Sequence, residues 1–93
     1  MNKGEIVKAV ARRKGITIST AHDVVEDFFD VAKTSLAVGE EVTVRGFGRF
    51  ELRDRPPVTL KNPRTGDPIL VPPRQTVVFL PSMTLKARLN GDT

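Results

Sequence analysis

Six of the chain's seven prolines fall within residues 53–75, and this cluster limits the possible folds more than any other feature of the sequence. Proline has no backbone N–H to donate to a β-ladder, so strands here can only be edge strands or an isolated ribbon. Residues 62–66 read Asn-Pro-Arg-Thr-Gly, which is a turn by composition, with Gly66 supplying a positive φ. About eight residues lie on either side of this turn. We therefore predict a two-stranded arm, expected to be mobile until it is bound, because a lone hairpin is marginally stable.

A disordered proline-rich linker is the alternative interpretation of this segment. Linkers are poor in apolar residues, whereas this segment carries residues 69–71, Ile-Leu-Val, opposite Val58 and Leu60. The apolar residues on both sides of the turn favour the arm.

Apolar periodicity predicts a helical hairpin before the proline-rich segment. Asn2 and Glu5 form a capping pair for a first helix over about residues 3–14, and Gly15 is a natural stop. A second helix is predicted to begin at Thr17 or Ser19 and to end by Gly39, since apolar residues recur at spacings of three and four.

From residue 41 the apolar period changes to two, which predicts a β-hairpin that turns at residues 46–48, Gly-Phe-Gly. Glycine on both sides of Phe47 favours a sharp bend that inserts this ring into the core. Residues 76–80 are expected to return as a core strand, and a last helix to follow over residues 82–90. The predicted fold class is α+β: a helical hairpin, a three-stranded antiparallel sheet with a long β-ribbon arm, and a C-terminal helix.

Length and charge narrow the function. A chain of 93 residues is expected to form one domain, and it has no cysteine for disulfides or thiolate metal sites. Its start lacks the pattern of a secretory signal and no apolar stretch could span a bilayer, so we expect a soluble, intracellular protein. The net charge of +4 resides in residues 45–75, where seven basic side chains face three acidic ones. Such a basic segment is the footprint of a polyanionic partner, although a solvated basic face is equally compatible with charge alone.

Other features indicate no catalytic or metal site. His22 is the only histidine, which without cysteine predicts a helix-surface residue and no metal site. An acidic stripe on the second helix lacks any acid, base or nucleophile partner, and no phosphate-binding glycine loop is present. We expect no enzymatic activity, no cofactor and no small-molecule substrate.

The chain is also expected to form a dimer, because its apolar side chains exceed what three short helices and a three-stranded sheet can cover. The predicted dimer core comprises Phe28, Phe29, Val44, Phe47, Phe50 and Phe79. The expected form is an intertwined two-fold dimer with no stable monomer.

The Gly-Phe-Gly-x-Phe block at 46–50, the Asn-Pro-x-Thr-Gly turn at 62–66, and Leu85-Lys86 near the end resemble the HU / integration host factor family across residues 1 to about 90. The resemblance implies two interlocked chains whose arms wrap the minor groove of DNA, where the proline at each arm tip wedges between base pairs and bends the duplex. By this resemblance Pro63 is the wedge. The other DNA-binding residues that it implies are Lys3, Arg53, Arg55, Lys61, Asn62, Arg64, Thr65, Arg74 and Lys86.

The same resemblance implies one domain over residues 1–93. Its parts would be a helical dimerisation part (1–40), a core sheet (41–54 and 75–80), a DNA-binding arm (55–74) and a C-terminal helix (82–90). The expected function is to bend and compact DNA with little sequence specificity, favouring bent, nicked or flexible duplexes, in the cytoplasmic nucleoid.

Several positions depart from the family pattern. The family has a small polar or basic residue at the place of Val58, a glycine or alanine at that of Leu60, and often basic residues at those of Asp67, Leu80 and Met83. Three other functions therefore remain open: a site-preferring bender like integration host factor, as a homodimer or a heterodimer; a divergent member that acts through protein partners; and a small RNA-binding module.

Overall fold

The computed structural model describes residues 1–91, which form two compact units, residues 1–38 and 39–91. In the first unit, α1 (Lys3–Lys14) begins after Asn2, whose side-chain oxygen accepts a hydrogen bond from the backbone N–H of Glu5 at 2.9 Å. Gly15 ends the helix at φ 65°, a left-handed conformation that favours glycine. Both ends of the predicted first helix are confirmed.

The second helix, α2 (Ile18–Ala37), is capped by Thr17, whose hydroxyl oxygen accepts from the N–H of Thr20 at 3.1 Å. Ser19, the other cap considered from the sequence, lies inside the helix. The two helices enclose a small buried core, formed by Val7, Ala11, Ala21 and Val25. Much of the apolar surface of α2, including Phe28 and Phe29, stays exposed in the single chain.

The second unit contains a three-stranded antiparallel sheet in the order β1-β2-β5. Its strands are β1 (Val42–Val44), β2 (Gly48–Arg55) and β5 (Arg74–Pro81), and the β2–β5 register runs from Gly48↔Pro81 to Arg55↔Arg74. The final helix α3 (Met83–Leu89) follows directly, with the hydroxyl of Ser82 accepting from the N–H of Leu85 at 3.0 Å. The α+β class and the three-stranded sheet predicted from the sequence are confirmed.

The register separates the side chains of the sheet onto two chemically different faces, because directly opposed residues share a face. One, the apolar sheet face, carries Val42, Val44, Phe50, Leu52, Val77 and Phe79. The other, the basic sheet face, carries Arg49, Arg53, Arg55 and Arg74 together with Glu51, Val78 and Leu80.

Gly48 allows β2 and β5 to pack at the start of this sheet. A Cβ at this position would lie 2.5 Å from a ring carbon of Phe79 and 2.7 Å from the backbone oxygen of Leu80. No side chain tolerates such contacts, so glycine is required here by space and not by φ.

Phe47 does not enter a core within this chain, contrary to the sequence interpretation. Its ring is 48% exposed and contacts the ring of Phe79, with the ring centroids 5.3 Å apart. The bend at Gly46, with φ 80°, presents the ring at the end of the sheet instead of turning it inward.

The arm is a separate two-stranded ribbon of β3 (Val58–Lys61) and β4 (Pro68–Val71), paired antiparallel from Val58↔Val71 to Lys61↔Pro68. Its strands have four residues each instead of the eight expected on either side of the turn. The proline pairs at 56–57 and 72–73 interrupt the ladder, because proline has no backbone N–H to donate. Residues 53–55, before the first pair, and residues 74–76, after the second, belong to the three-stranded sheet.

Candidate nucleic-acid interface

The end of the arm is a turn organised by one side chain. The Oδ1 of Asn62 accepts from the backbone N–H of Arg64 at 2.8 Å and from that of Thr65 at 3.4 Å. The backbone of Asn62 also donates to Asp67 at 2.8 Å and accepts from Gly66 at 2.8 Å. Gly66 closes the turn at φ 76°, as the sequence predicts. We call residues 62–66 the tip turn.

Pro63 lies in the tip turn directly after the residue that holds it. It is exposed, as are Arg64 and Thr65, whereas Asn62 is half-buried. The Thr65 hydroxyl accepts from the N–H of Asp67 at 3.2 Å, so its oxygen also supports the turn. These hydrogen bonds hold the backbone on either side of the exposed Pro63 ring in a closed turn.

Charges near the tip turn are mixed. Lys61 and Arg64 supply two exposed cations, and Asp67 places a carboxylate beside them at the start of the returning strand. The carboxylate lowers the net positive charge of the tip.

A second group of cations lies along β2 on the basic sheet face. Glu51 forms ion pairs with both Arg49 and Arg53, and the Arg53 Nη2 lies 2.7 Å from Glu51 Oε2. The hydrogen bond from Arg53 lowers the pKa of Glu51 below its ordinary value of 4.5, with further lowering by the positive charge of Arg49. The carboxylate is therefore ionised at neutral pH and holds both guanidinium groups beside it.

Arg49 was not among the binding residues taken from the sequence, although the signal was present. The arginines at 49, 53 and 55 recur at even spacings, and a strand places even-spaced residues on one face. Arg53 was predicted, and the structure brings it together with Arg49 through Glu51.

The predicted residues at the base of the arm also lie together. Arg55 lies directly opposite Arg74 in the β2–β5 register, at the end of the three-stranded sheet that adjoins the proline pairs. A cleft of ≈ 550 Å³ lies there, lined by Asp54, Arg55, Pro56, Pro73, Arg74 and Gln75. Two like charges opposite each other destabilise a strand pair unless an anion lies between them, which makes this pair a candidate phosphate contact.

Lys3 and Lys86 lie outside the arm. Lys3 begins α1 and forms an ion pair with Glu26 of α2, and its hydrogen bond lowers the pKa of that carboxyl below 4.5. A phosphate would have to compete with Glu26 for this lysine. Lys86 is exposed on α3, and the structure gives it no place beside the tip turn or the arginine pair.

The six residues predicted as a dimer core are apolar, and none of them is fully buried in the single chain. Phe28 and Phe29 on α2 contact each other edge to face, with centroids 5.3 Å apart, and Phe28 is 54% exposed. In the sheet, Phe79 contacts Phe47 and Phe50, the latter at 5.0 Å between centroids. Val44 lies on the same apolar sheet face.

Within residues 1–91, no three acidic, histidine or cysteine side chains cluster so that they could hold a metal ion. Across the same residues, no helix combines the length and the apolar character needed to cross a membrane.

Comparison with known proteins places this geometry in a family. The family described as bacterial DNA-binding protein matches residues 1–90. The integration host factor subunit alpha of Bdellovibrio bacteriovorus is 40% identical over 92 residues, covering 99% of this chain and 84% of that protein. The corresponding subunit of Proteus mirabilis is 37% identical over 93 residues, covering 100% and 95%.

Solved structures agree with these relatives. The Anabaena HU–DNA cocrystal structure has a TM-score of 0.88 and 30% identity, covering 96% of this chain and 97% of that chain. A mutant HU from Thermotoga maritima has a TM-score of 0.70 at 25% identity, covering 96% and 99%. The chain therefore belongs to the bacterial DNA-binding protein family of HU and integration host factor.

Proposed function

We propose that this protein is a non-enzymatic architectural protein that forms a homodimer, binds the minor groove of double-stranded DNA with its two arms, and bends and compacts the duplex with little sequence specificity. The observation that carries the proposal is the tip turn, which presents Pro63 on a hydrogen-bonded frame between Lys61 and Arg64. Family membership supports DNA as the ligand and the nucleoid as the site of action.

The arm suits a groove because it is a thin ribbon with an apolar wedge at its end. The minor groove is about 6 Å wide, which admits a narrow element and excludes a helix. A proline that partly unstacks one base step costs a few kcal/mol, which the larger contact surface of a bent duplex offsets. Because a nick or gap lowers the unstacking cost, such DNA should bind more tightly.

Cations along the sheet and arm supply affinity without reading sequence. The candidates are Arg53, Arg55 and Arg74 near the base, and Lys61 and Arg64 near the tip. Phosphate contacts of this kind release counterions, so each one contributes about 0.9 to the slope of log K against log salt. Direct base contacts are not needed for this mode of binding.

A second copy of the chain would cover the apolar surfaces that the single chain leaves open. The helical unit buries four residues, and the five phenylalanines remain partly or largely exposed. An obligate dimer interface resembles a domain core cut in half, which matches this distribution. Sedimentation equilibrium should give a dimer mass at micromolar concentration, and a folded monomer there would contradict the proposal.

The bending mechanism is tested by titrating an intact duplex and its nicked twin at several salt concentrations, with wild type and Pro63→Ala. Wild type should bind the nicked duplex more tightly than the intact one, and its affinity for both should rise as the salt concentration falls. Pro63→Ala should lose most of the preference for the nicked duplex. Equal affinity for both duplexes in the wild type would refute the wedge.

A site-preferring member that pairs with a different subunit is the second candidate. It is favoured by the relatives, which are named as alpha subunits of integration host factor. Such proteins read sequence-dependent deformability. Selection from random duplexes should return no motif if the homodimer proposal is right, whereas a recovered site or a co-purified second subunit would favour this candidate.

A further inference from the structure

One face of the arm is entirely apolar. Direct cross-strand pairing places four side chains on it, which we call the arm stripe: Val58, Leu60, Ile69 and Val71. Val58, Leu60 and Ile69 are 42%, 54% and 44% exposed, so the stripe is available to a ligand along its length. The opposite face carries Thr59, Lys61, Pro68 and Leu70. Leu70 is 72% exposed and lies opposite Thr59, so it has no directly opposed apolar partner.

The arm stripe is continuous across both strands of the ribbon. Val58 and Leu60 lie on β3. Ile69 and Val71 complete the stripe across the ribbon. An exposed apolar ribbon promotes aggregation. An apolar patch of this kind on a surface element therefore indicates a contact with a ligand.

The charges around the stripe indicate what that ligand is. Arg55 and Arg74 lie below its lower end, and Lys61 and Arg64 lie at its upper end. Four residues of strand span about 10 Å. A ligand that contacts both the stripe and the charges at its ends needs anionic groups about this far apart with an apolar surface between them. The groove of a DNA duplex has this arrangement, because deoxyribose rings form its walls between successive phosphates.

We propose that the arm stripe packs against deoxyribose in the minor groove and thereby selects DNA over RNA. Ribose differs by a 2′-hydroxyl, which RNA displays in its minor groove. The four side chains of the stripe offer no hydrogen-bond partner, so a 2′-hydroxyl buried against them loses its water without replacement. The inference rests on the proposed DNA-binding function and assigns the sugar selectivity of the same arm.

The test compares duplexes of one sequence made of DNA, RNA and 2′-fluoro RNA, using fluorescence anisotropy. The 2′-fluoro duplex keeps the RNA-like form without the hydroxyl, so it separates shape from hydrogen bonding. Wild type should bind DNA most tightly, and 2′-fluoro RNA more tightly than RNA. The double variant Val58→Thr with Leu60→Asn should reduce the ratio of the Kd for RNA to the Kd for DNA about tenfold. This is the factor expected when one buried 2′-hydroxyl gains a hydrogen-bond partner.

Leu70→Asn is the matched control, because it makes the same kind of change on the opposite face of the ribbon. It should keep the wild-type ratio. The double variant should also weaken DNA binding by the same factor at every salt concentration, because an apolar contact releases no counterions.

The possible outcomes distinguish failure of the proposed sugar selectivity from failure of the proposed DNA binding. An unchanged ratio in the double variant, or 2′-fluoro RNA bound no better than RNA, would overturn the sugar selectivity while the preference for nicked DNA stands. Absence of DNA binding by wild type would overturn both.

Discussion

At the scale of single residues, we infer that Asn62 positions the proposed wedge, Pro63, and is not simply a contact on the arm. Its carboxamide oxygen accepts from the N–H groups of Arg64 and Thr65, which fixes the backbone on both sides of the tip. The sequence indicated a turn from its composition, but only the structure shows that this side chain is committed to the protein's own backbone.

Asn62→Ala should therefore weaken binding to nicked DNA although it removes no charge. A lost intramolecular hydrogen bond costs about 1 kcal/mol, which corresponds to about fivefold in Kd. Asn62→Ser keeps a weaker acceptor and should fall between alanine and wild type. Anisotropy titrations at one salt concentration give the order, and equal affinities for all three proteins would exclude the positioning role.

Glu51 is the second residue whose role needed the structure. It lies between two arginines on the basic sheet face and neutralises part of their charge. Glu51→Gln should tighten DNA binding at low salt and steepen the salt slope by about 0.9 for each arginine released to a phosphate. Asp54→Asn is the control, because Asp54 lies on the same strand but contacts Gln75. An unchanged slope in Glu51→Gln would place Arg49 and Arg53 outside the interface.

At the scale of elements, the sequence predicted the kinds of structure well and their extents less well. Proline chemistry predicted an isolated ribbon, and period-two spacing predicted the strands that flank it. The ribbon is shorter than the predicted arm because the proline pairs interrupt the ladder, and residues 53–55 and 74–76 pair with each other in the three-stranded sheet. The exposed position of Phe47 was missed because glycines report a bend but not its direction.

The sheet depends on the absence of a side chain at Gly48. Gly48→Ala should lower the free energy of unfolding by about 1–3 kcal/mol, since the added carbon meets the Phe79 ring and the backbone of β5. Gly4→Ala is the matched control, because its added carbon has only an ordinary contact at 3.5 Å. Urea denaturation at equal protein concentration checks the pair, and equal stability of both variants would contradict the packing described.

The helical hairpin carries an ion pair whose pH dependence has a definite sign. The pKa of Glu26 is lowered in the folded state by Lys3, so its contribution is present above about pH 4.5 and is lost as pH falls through the folded-state value. Wild type should therefore lose more stability than Glu26→Gln between neutral pH and pH values below 4.5. Thermal unfolding at matched concentration measures this difference, and parallel curves would exclude the linkage.

At the scale of the whole molecule, the fold separates apolar from basic surface. The three-stranded sheet has one face for packing and one with four arginines, and the arm extends from the same pair of strands. The sequence patterns predicted the sheet and the arm, but not the separation of arginines and apolar side chains onto opposite faces of the sheet. They could not predict the register that places the four residues of the arm stripe on one face. Nor could they predict the ion pairs of Glu51 with two arginines and of Lys3 with Glu26.

Bending of DNA by this protein is proposed to depend on Pro63 at the tip of the arm. The most direct measurement is the end-to-end distance of a doubly labelled duplex by resonance energy transfer, at saturating wild type and at saturating Pro63→Ala. Wild type should shorten the end-to-end distance clearly and Pro63→Ala much less, even where both proteins saturate the duplex. Equal shortening by both proteins would show that bending does not depend on Pro63.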